Sequence, residues 1–228
     1  MVFLQSNQGD MAYILNIETA TKNCSVALAK DGDLILCRQI AEQGYSHAEK
    51  LHVFIEEILK ESNVTFPQLQ AVAVSQGPGS YTGLRIGVSA AKGLCYALGI
   101  PLIAIDTLQV LARQAKITSG IIVPMIDARR MEVYSAVFNS DYEKIRNVQA
   151  EIITTDSFSE IEEMVYFIGD SSEKCKAVLT RANFVFLDDI VYPSAREMCM
   201  LSFQNFQNKN FEDLAYFEPF YLKDFMVK

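Results

Sequence analysis

Hydrophobic and polar positions change their period along this chain, and the changes mark its elements. Three runs rich in aliphatic residues follow one another at Tyr13 to Glu18, Cys24 to Lys30 and Leu34 to Ile40. The last two are joined by Asp31-Gly32, a dipeptide that readily takes positive φ, so the spacing predicts an antiparallel meander. Ser46-His-Ala-Glu49 reads as a capping box, whose hydroxyl and carboxylate satisfy free N–H groups at a helix start. Behind it Leu51, Phe54, Ile55, Ile58 and Leu59 recur at the spacing of one helical face. Ala71 to Ser75 is a short buried strand, followed by the loop Gln76-Gly-Pro-Gly-Ser-Tyr-Thr-Gly83 and a second helix from about Leu84 to Leu98. Gly99, with Pro101 two residues on, ends that helix. Leu102 to Ile105 is a further strand, and Asp106-Thr107 caps a third helix reaching Ala115.

The order so far is βββαβαβα, and the residues after Gly120 repeat it more loosely. Ile121 to Ile126, Glu132 to Phe138 and Val148 to Ile153 are strand-like; Asp156 to Met164 is expected to be helical and Tyr166 to Ile168 extended. Ser171 to Leu179 is expected to be helical and Phe184 to Leu187 extended, and Ser194-Ala-Arg-Glu197 is a second capping box opening a last helix to about Gln207. Two copies of one topology predict an α/β protein of two lobes, each a mixed sheet with βββαβαβα order, the layout of the ribonuclease H-like and actin-like ATPase folds. The expected lobes are residues 11–116 and 117–228. The polar, aperiodic stretch Met1 to Asp10 is set aside as an extension.

Composition narrows the partners. With 50% hydrophobic and 21% charged residues in 228, the chain has ample material for a core, and a chain of this length hides roughly 70% of the surface it exposes when unfolded. No apolar run approaches the ~18 residues of a spanning helix, and the first ten residues lack the pattern of a secretory signal, so no membrane association is expected. The five cysteines, Cys24, Cys37, Cys95, Cys175 and Cys199, include no C-x-x-C pair and suit reduced thiols, which implies the cytoplasm. The net charge of −8 offers no broad positive field for a nucleic acid, so tRNA or any other RNA is expected to be held only indirectly, through another protein.

Candidate chemistry is sparse. Glu18 and Asp127 end the first strand of each half, where actin-like ATPases place an acidic residue ahead of a phosphate-wrapping hairpin. This makes Glu18, Thr19, Thr21 and Asp127 candidates for a nucleotide, with Gly77 and Gly79 of the glycine-rich loop, which opens at a positive helix end. Neither hairpin turn contains glycine, which close approach to a phosphate favours, and the loop lacks the Lys-Ser/Thr pair of a P-loop. The alternative is that these residues only form turns tightened for packing. His47 and His52 stand five residues apart, about 140° around a helix axis, so they cannot chelate a metal as an i, i+4 pair. No metal site and no complete catalytic set can be read from the residues.

The second helix carries a different signal. Arg85, Ser89, Lys92 and Tyr96 form one narrow polar stripe; apolar residues cover the remainder, with Gly83, Gly87 and Gly93 open to another backbone. Such a helix needs cover on a second side, part of it from the helix at 46–60 and the rest from a partner subunit. The expected interface comprises Leu51, Phe54, Ile55, Ile58, Gly83, Ile86, Gly87, Ala90, Ala91 and Leu94. Purified alone, the chain is expected to pair with a second copy through the same surface.

Four segments carry a family resemblance: Ile14-Leu-Asn-Ile-Glu-Thr-Ala-Thr with Cys24-Ser-Val-Ala-Leu28, Gly77-Pro-Gly-Ser-Tyr-Thr-Gly-Leu-Arg-Ile-Gly87, Ile126-Asp-Ala-Arg129 with Glu132-Val-Tyr134, and Glu218-Pro-x-Tyr-Leu222. Together they resemble the TsaB family, accessory subunits of the bacterial machinery that makes threonylcarbamoyladenosine in tRNA. The resemblance implies an actin-like fold, a heterodimer with the catalytic paralogue TsaD, and joint work with the small ATPase TsaE. It further implies that the complex moves threonylcarbamoyl from threonylcarbamoyl-AMP to N6 of the adenosine beside the anticodon. TsaD-like proteins carry the metal-binding H-x-x-x-H that this chain lacks, which favours a non-catalytic scaffold without a tightly bound cofactor, with ATP or ADP at the interface with TsaD. Glycoprotease, an older label for relatives, would require a metal centre not found here. The family typically has Asp where this chain has Glu18. The rival reading is a self-sufficient Mg-ATP-dependent kinase or hydrolase built on Glu18, Asp127 and the Gly77 to Gly83 loop.

Overall fold

A computed structural model of the chain describes residues 11–41 and 47–222. Strands β1 (Tyr13–Glu18), β2 (Cys24–Lys30) and β3 (Asp33–Ile40) form the predicted meander, and both Asp31 and Gly32 take positive φ in the hairpin turn. Helix α1 (His47–Glu61) buries Leu51, Ile55, Ile58 and Leu59; Ser46, the expected cap, lies outside the described residues. Strand β4 (Leu69–Gly77) runs parallel to β1 and leads into α2 (Tyr81–Leu98), which Ser80 caps at one end and left-handed Gly99 closes at the other. Strand β5 (Leu102–Asp106) and α3 (Thr107–Ala112) complete the first repeat.

The second repeat contains β6 (Ile121–Asp127), β7 (Glu132–Asn139), β8 (Lys144–Ile152), β9 (Val165–Ile168), the one-turn α4 (Ser172–Cys175), β10 (Phe184–Phe186) and α5 (Ala195–Gln207). The two sheets have the orders β3-β2-β1-β4-β5 and β8-β7-β6-β9-β10, the same path traced twice. Strands β1 and β6 therefore occupy equivalent central places, and Glu18 and Asp127 end them.

One expected element is missing. Residues 155–160 form consecutive turns instead of the helix predicted over 156–164, with Ser157 N–H donating to the Thr154 carbonyl and Ile161 N–H to that of Phe158. Phe158 sits at φ 60° and is buried edge-on to Phe167, with ring centroids 5.4 Å apart. A left-handed residue interrupts the helical ladder, so burial of the ring against the sheet prevails over local periodicity. The helix expected over 171–179 is likewise reduced to α4 and a following turn. The second repeat thus reads βββ-β-α-β-α.

The cores explain why neither sheet stands alone. Helices α1 and α2 cover one face of the first sheet through Leu51, Ile55, Val88 and Cys95. Its other face is covered by α5, from the far end of the chain, through Ala195, Met198, Cys199 and Leu201 packed on Ile14, Ala27, Ala73 and Ile103. Helix α3, which closes the first repeat, packs instead on the second sheet, burying Leu108, Leu111 and Ala112 against Ile122, Ala136, Phe138 and Ile168. Each repeat lends its closing helix to the other sheet. A polar clasp reinforces the crossing: Asp106 accepts the Leu108 and Gln109 N–H groups as the α3 cap while pairing with Lys144 of β8.

These two roles of Asp106 separate by mutation. Asp106→Asn keeps an acceptor for the cap and loses the charge pair, and should cost about 0.5–1 kcal/mol in urea unfolding; Asp106→Ala loses both and should cost about 1–3 kcal/mol. Equal losses would show that the ion pair with Lys144 alone carries the effect.

Candidate functional site

The two nucleotide-candidate segments of the first lobe lie against each other. Ser80 N–H donates to the Ala20 carbonyl at 2.7 Å, and the Thr19 hydroxyl donates to the Gly83 carbonyl at 2.8 Å. A Cβ added at Gly79 would lie 2.3 Å from the Ala20 carbonyl oxygen, and one at Gly83 2.1 Å from that of Thr19. A Cβ at Gly87 would lie 2.2 Å from Thr19 Oγ1. The glycines thus serve close approach between the β1–β2 turn and α2, the packing alternative, and the donors turned toward one another are satisfied inside the protein. Gly77, at φ 115°, packs its α-carbon against the Phe220 carbonyl and donates its N–H to Thr107 Oγ1.

Glu18 is fully buried under this turn. Its Oε1 accepts the Ala20 N–H at 2.6 Å, while Oε2 meets no partner in hydrogen-bonding geometry. Burial pushes its carboxyl from the ordinary 4.5 up to about 7, against the opposing pull of the Ala20 N–H and the neighbouring Ser75 hydroxyl. Thr19 and Thr21 are buried as well, and the Thr21 carbonyl lies 2.7 Å from the His47 ring nitrogen Nε2.

Asp127, at the equivalent strand end, is exposed. Its carboxylate accepts the Arg129 N–H and pairs with Lys174, whose ammonium also donates to the Arg130 and Glu132 carbonyls at 2.7 and 2.9 Å. Asp127 N–H donates to Asp170, whose carboxyl is held above the usual range by burial and by the charge of Asp127. The two acidic residues thus sit in unlike environments, one dry and one at the surface. Among the described residues no group of three His, Cys, Asp or Glu side chains is placed to hold a metal ion, and all five cysteines are free thiols.

The expected interface divides in two. Leu51, Ile55, Ile58, Gly83, Gly87 and Ala91 are buried in the chain's own core, so as a free docking surface this part of the expectation is corrected: helical period marks a buried face without saying what buries it. Phe54, Ile86, Ala90 and Leu94 remain half-buried. Ile86, Ala90 and Leu94 line a shallow groove of about 360 Å³ with His52, Ser89 and Gly93. Gly93 is exposed in mid-helix, and among the described residues a Cβ there would meet nothing within 4 Å.

The polar stripe of α2 has a use the sequence did not disclose. A C-terminal strap returns along the first sheet, bridging Glu212 to Leu102 at the edge of β5 and passing over α2. Lys92 donates to the Ala215 and Phe217 carbonyls, Arg85 stacks on Tyr81, whose ring lies 4.9 Å from that of Tyr221, and Phe220 N–H donates to the Gln76 carbonyl at 2.7 Å. The only prior signal was the motif at Glu218 to Leu222, which falls on this strap.

Topology and site together define a two-lobed α/β protein of the actin-like, ribonuclease H-like class whose first-lobe hairpin is filled by its own glycine loop. A family model described as TsaD: tRNA N6-adenosine threonylcarbamoyltransferase matches residues 38–227, and the chain belongs to that family. It is 28% identical over 220 residues to the tRNA threonylcarbamoyladenosine biosynthesis protein TsaB of Escherichia coli, covering 92% of this chain and 94% of that one. It is 38% identical over 107 residues to the tRNA N6-adenosine threonylcarbamoyltransferase of Bacillus thuringiensis, covering 40% of this chain and 31% of that protein. The solved structure of YeaZ from Pseudomonas aeruginosa superposes with a TM-score of 0.81 at 25% identity, covering 93% of this chain and all of that one.

The buried Glu18 carboxyl makes stability depend on pH with a definite sign. The unfolded chain releases this proton near 4.5 and the folded one near 7, so the folded state binds more protons between those values and stability falls as pH rises through them. Glu18→Gln should therefore stabilise the protein at pH 8, by about 1–3 kcal/mol, with the gain shrinking toward pH 5. Urea unfolding across pH checks this; a pH-independent difference would place the Glu18 proton elsewhere.

Proposed function

We propose that this protein is the non-catalytic scaffold of a threonylcarbamoyladenosine-forming complex, and that it activates a TsaD-type catalytic subunit by docking on it through the groove between α1 and α2. The observation that carries this reading is Gly93. Glycine in a helix interior costs about 0.5–1 kcal/mol relative to alanine, and here no neighbour among the described residues requires it. A second backbone arriving from outside accounts for it, and the half-buried Ile86, Ala90 and Leu94 beside it supply apolar area for that contact.

Relatives bearing both the TsaB and the transferase names support a paralogous pair with matching faces. TsaE joins the same assembly, and two copies of this chain use the groove when TsaD is absent. ATP or ADP is taken at the interface with TsaD, since the hairpin of this chain's own first lobe is packed shut. No helix among the described residues is long and apolar enough to cross a membrane, and the reading places the protein in the cytoplasm with the tRNA it serves.

Capture of the cognate TsaD-type subunit tests it. Gly93→Glu should fold at least as stably as the parent, because it replaces a helical glycine in open space, yet reduce capture by a hundredfold or so. Gly87→Glu, which must displace Thr19, should lower the unfolding temperature and report on folding alone. Full capture by Gly93→Glu would move the docking surface elsewhere. Calorimetry with Mg-ATP on the isolated chain tests the rival: micromolar binding with turnover would establish a self-sufficient kinase or hydrolase.

A further inference from the structure

The β6–β7 turn is built differently from the rest of the molecule. Arg129 and Arg130 are consecutive, both exposed, and both held at positive φ, 75° and 52°, a conformation uncommon for residues other than glycine and rarer still in succession. The turn is fastened from beneath. Asp127 accepts the Arg129 N–H, Glu132 N–H donates to the Arg129 carbonyl at 3.2 Å, and Lys174 draws in the Arg130 and Glu132 carbonyls. All of these bonds hold backbone or Lys174, and neither guanidinium forms an ion pair among the described residues. Two exposed cations therefore stand side by side on one turn of a chain whose net charge is −8.

We infer that this turn is a contact site for the phosphate backbone of RNA, with Arg129 and Arg130 as the ligands. Guanidinium forks suit phosphate oxygens, and a backbone already held by these bonds spares the cost of ordering the turn on binding. The acidic total argues against a broad electrostatic surface. It does not argue against a local site of two or three phosphates on an RNA that a partner subunit already holds. The inference rests on the scaffold reading for the presence of tRNA, and it assigns this chain a direct contact where its overall charge predicts none.

The test uses the assembled complex with the TsaD-type subunit and an unmodified tRNA transcript carrying adenosine beside the anticodon, titrated over a range of salt. Arg129→Gly/Arg130→Gly keeps a turn that accepts positive φ while removing both charges. It should weaken tRNA binding severalfold or more at low salt and flatten the slope of log K against log salt by about 1.4–1.8, the share of two phosphates. Arg129→Lys/Arg130→Lys should restore most of the slope. Both variants should capture TsaD as the parent does, whereas Gly93→Glu should lose capture, so the docking reading and this one fail separately. Unchanged affinity and slope in the glycine variant would overturn the proposal. So would loss of TsaD or TsaE capture in that variant, which would make the arginine pair a protein contact.

Discussion

The turn between β1 and β2 and the start of α2 approach so closely that no side chain fits between them. Thr19 and Ala20 meet Gly79, Gly83 and Gly87 backbone to backbone, and the hydrogen bonds from Ser80 and Thr19 close the contact. Much else depends on this. The β1–β2 turn and the glycine loop fill the space between them, Glu18 is buried beneath, and α2 is held against the sheet.

Helix α2 consequently has three distinct sides. One packs on β4 through Leu84, Val88 and Ala91, one holds the C-terminal strap by Arg85 and Lys92, and one is left to Ile86, Ala90, Gly93 and Leu94. The strap completes the monomer without covering the groove. Apolar area remains beside a glycine, a combination with a cost in helix propensity that packing within the chain does not offset.

The duplication is unequal in use. Both sheets follow one strand order, and each receives the closing helix of the other repeat, so the cores of the halves are interdependent. Their hairpin turns have diverged: the first, Lys22 apart, is buried beneath a glycine loop with Glu18 inside, and the second stands exposed with Asp127 and Lys174 bracing two arginines. The same backbone position serves packing in one lobe and presents charge in the other.

Sequence by itself determined the elements whose local signals agree with their burial. The Asp31-Gly32 hairpin, the Asp106 and Ser194 caps and the Gly99 stop all act within a few residues, and the repeated strand pattern was enough to imply two lobes of one topology; the Ser80 cap, which starts α2 at Tyr81 instead of about Leu84, was not read from the sequence. Tertiary structure decided whatever depends on who covers a face. Phe158 gave up a helical position to reach Phe167, and Leu51, Ile55, Gly83 and Gly87 turned to the chain's own core rather than to a partner. Lys92 found the carbonyls of a strap more than a hundred residues away. Periodicity records that a side chain leaves water, because burial is set by the amphipathic pattern itself; the identity of the neighbour depends on contacts between distant segments, which no local window contains.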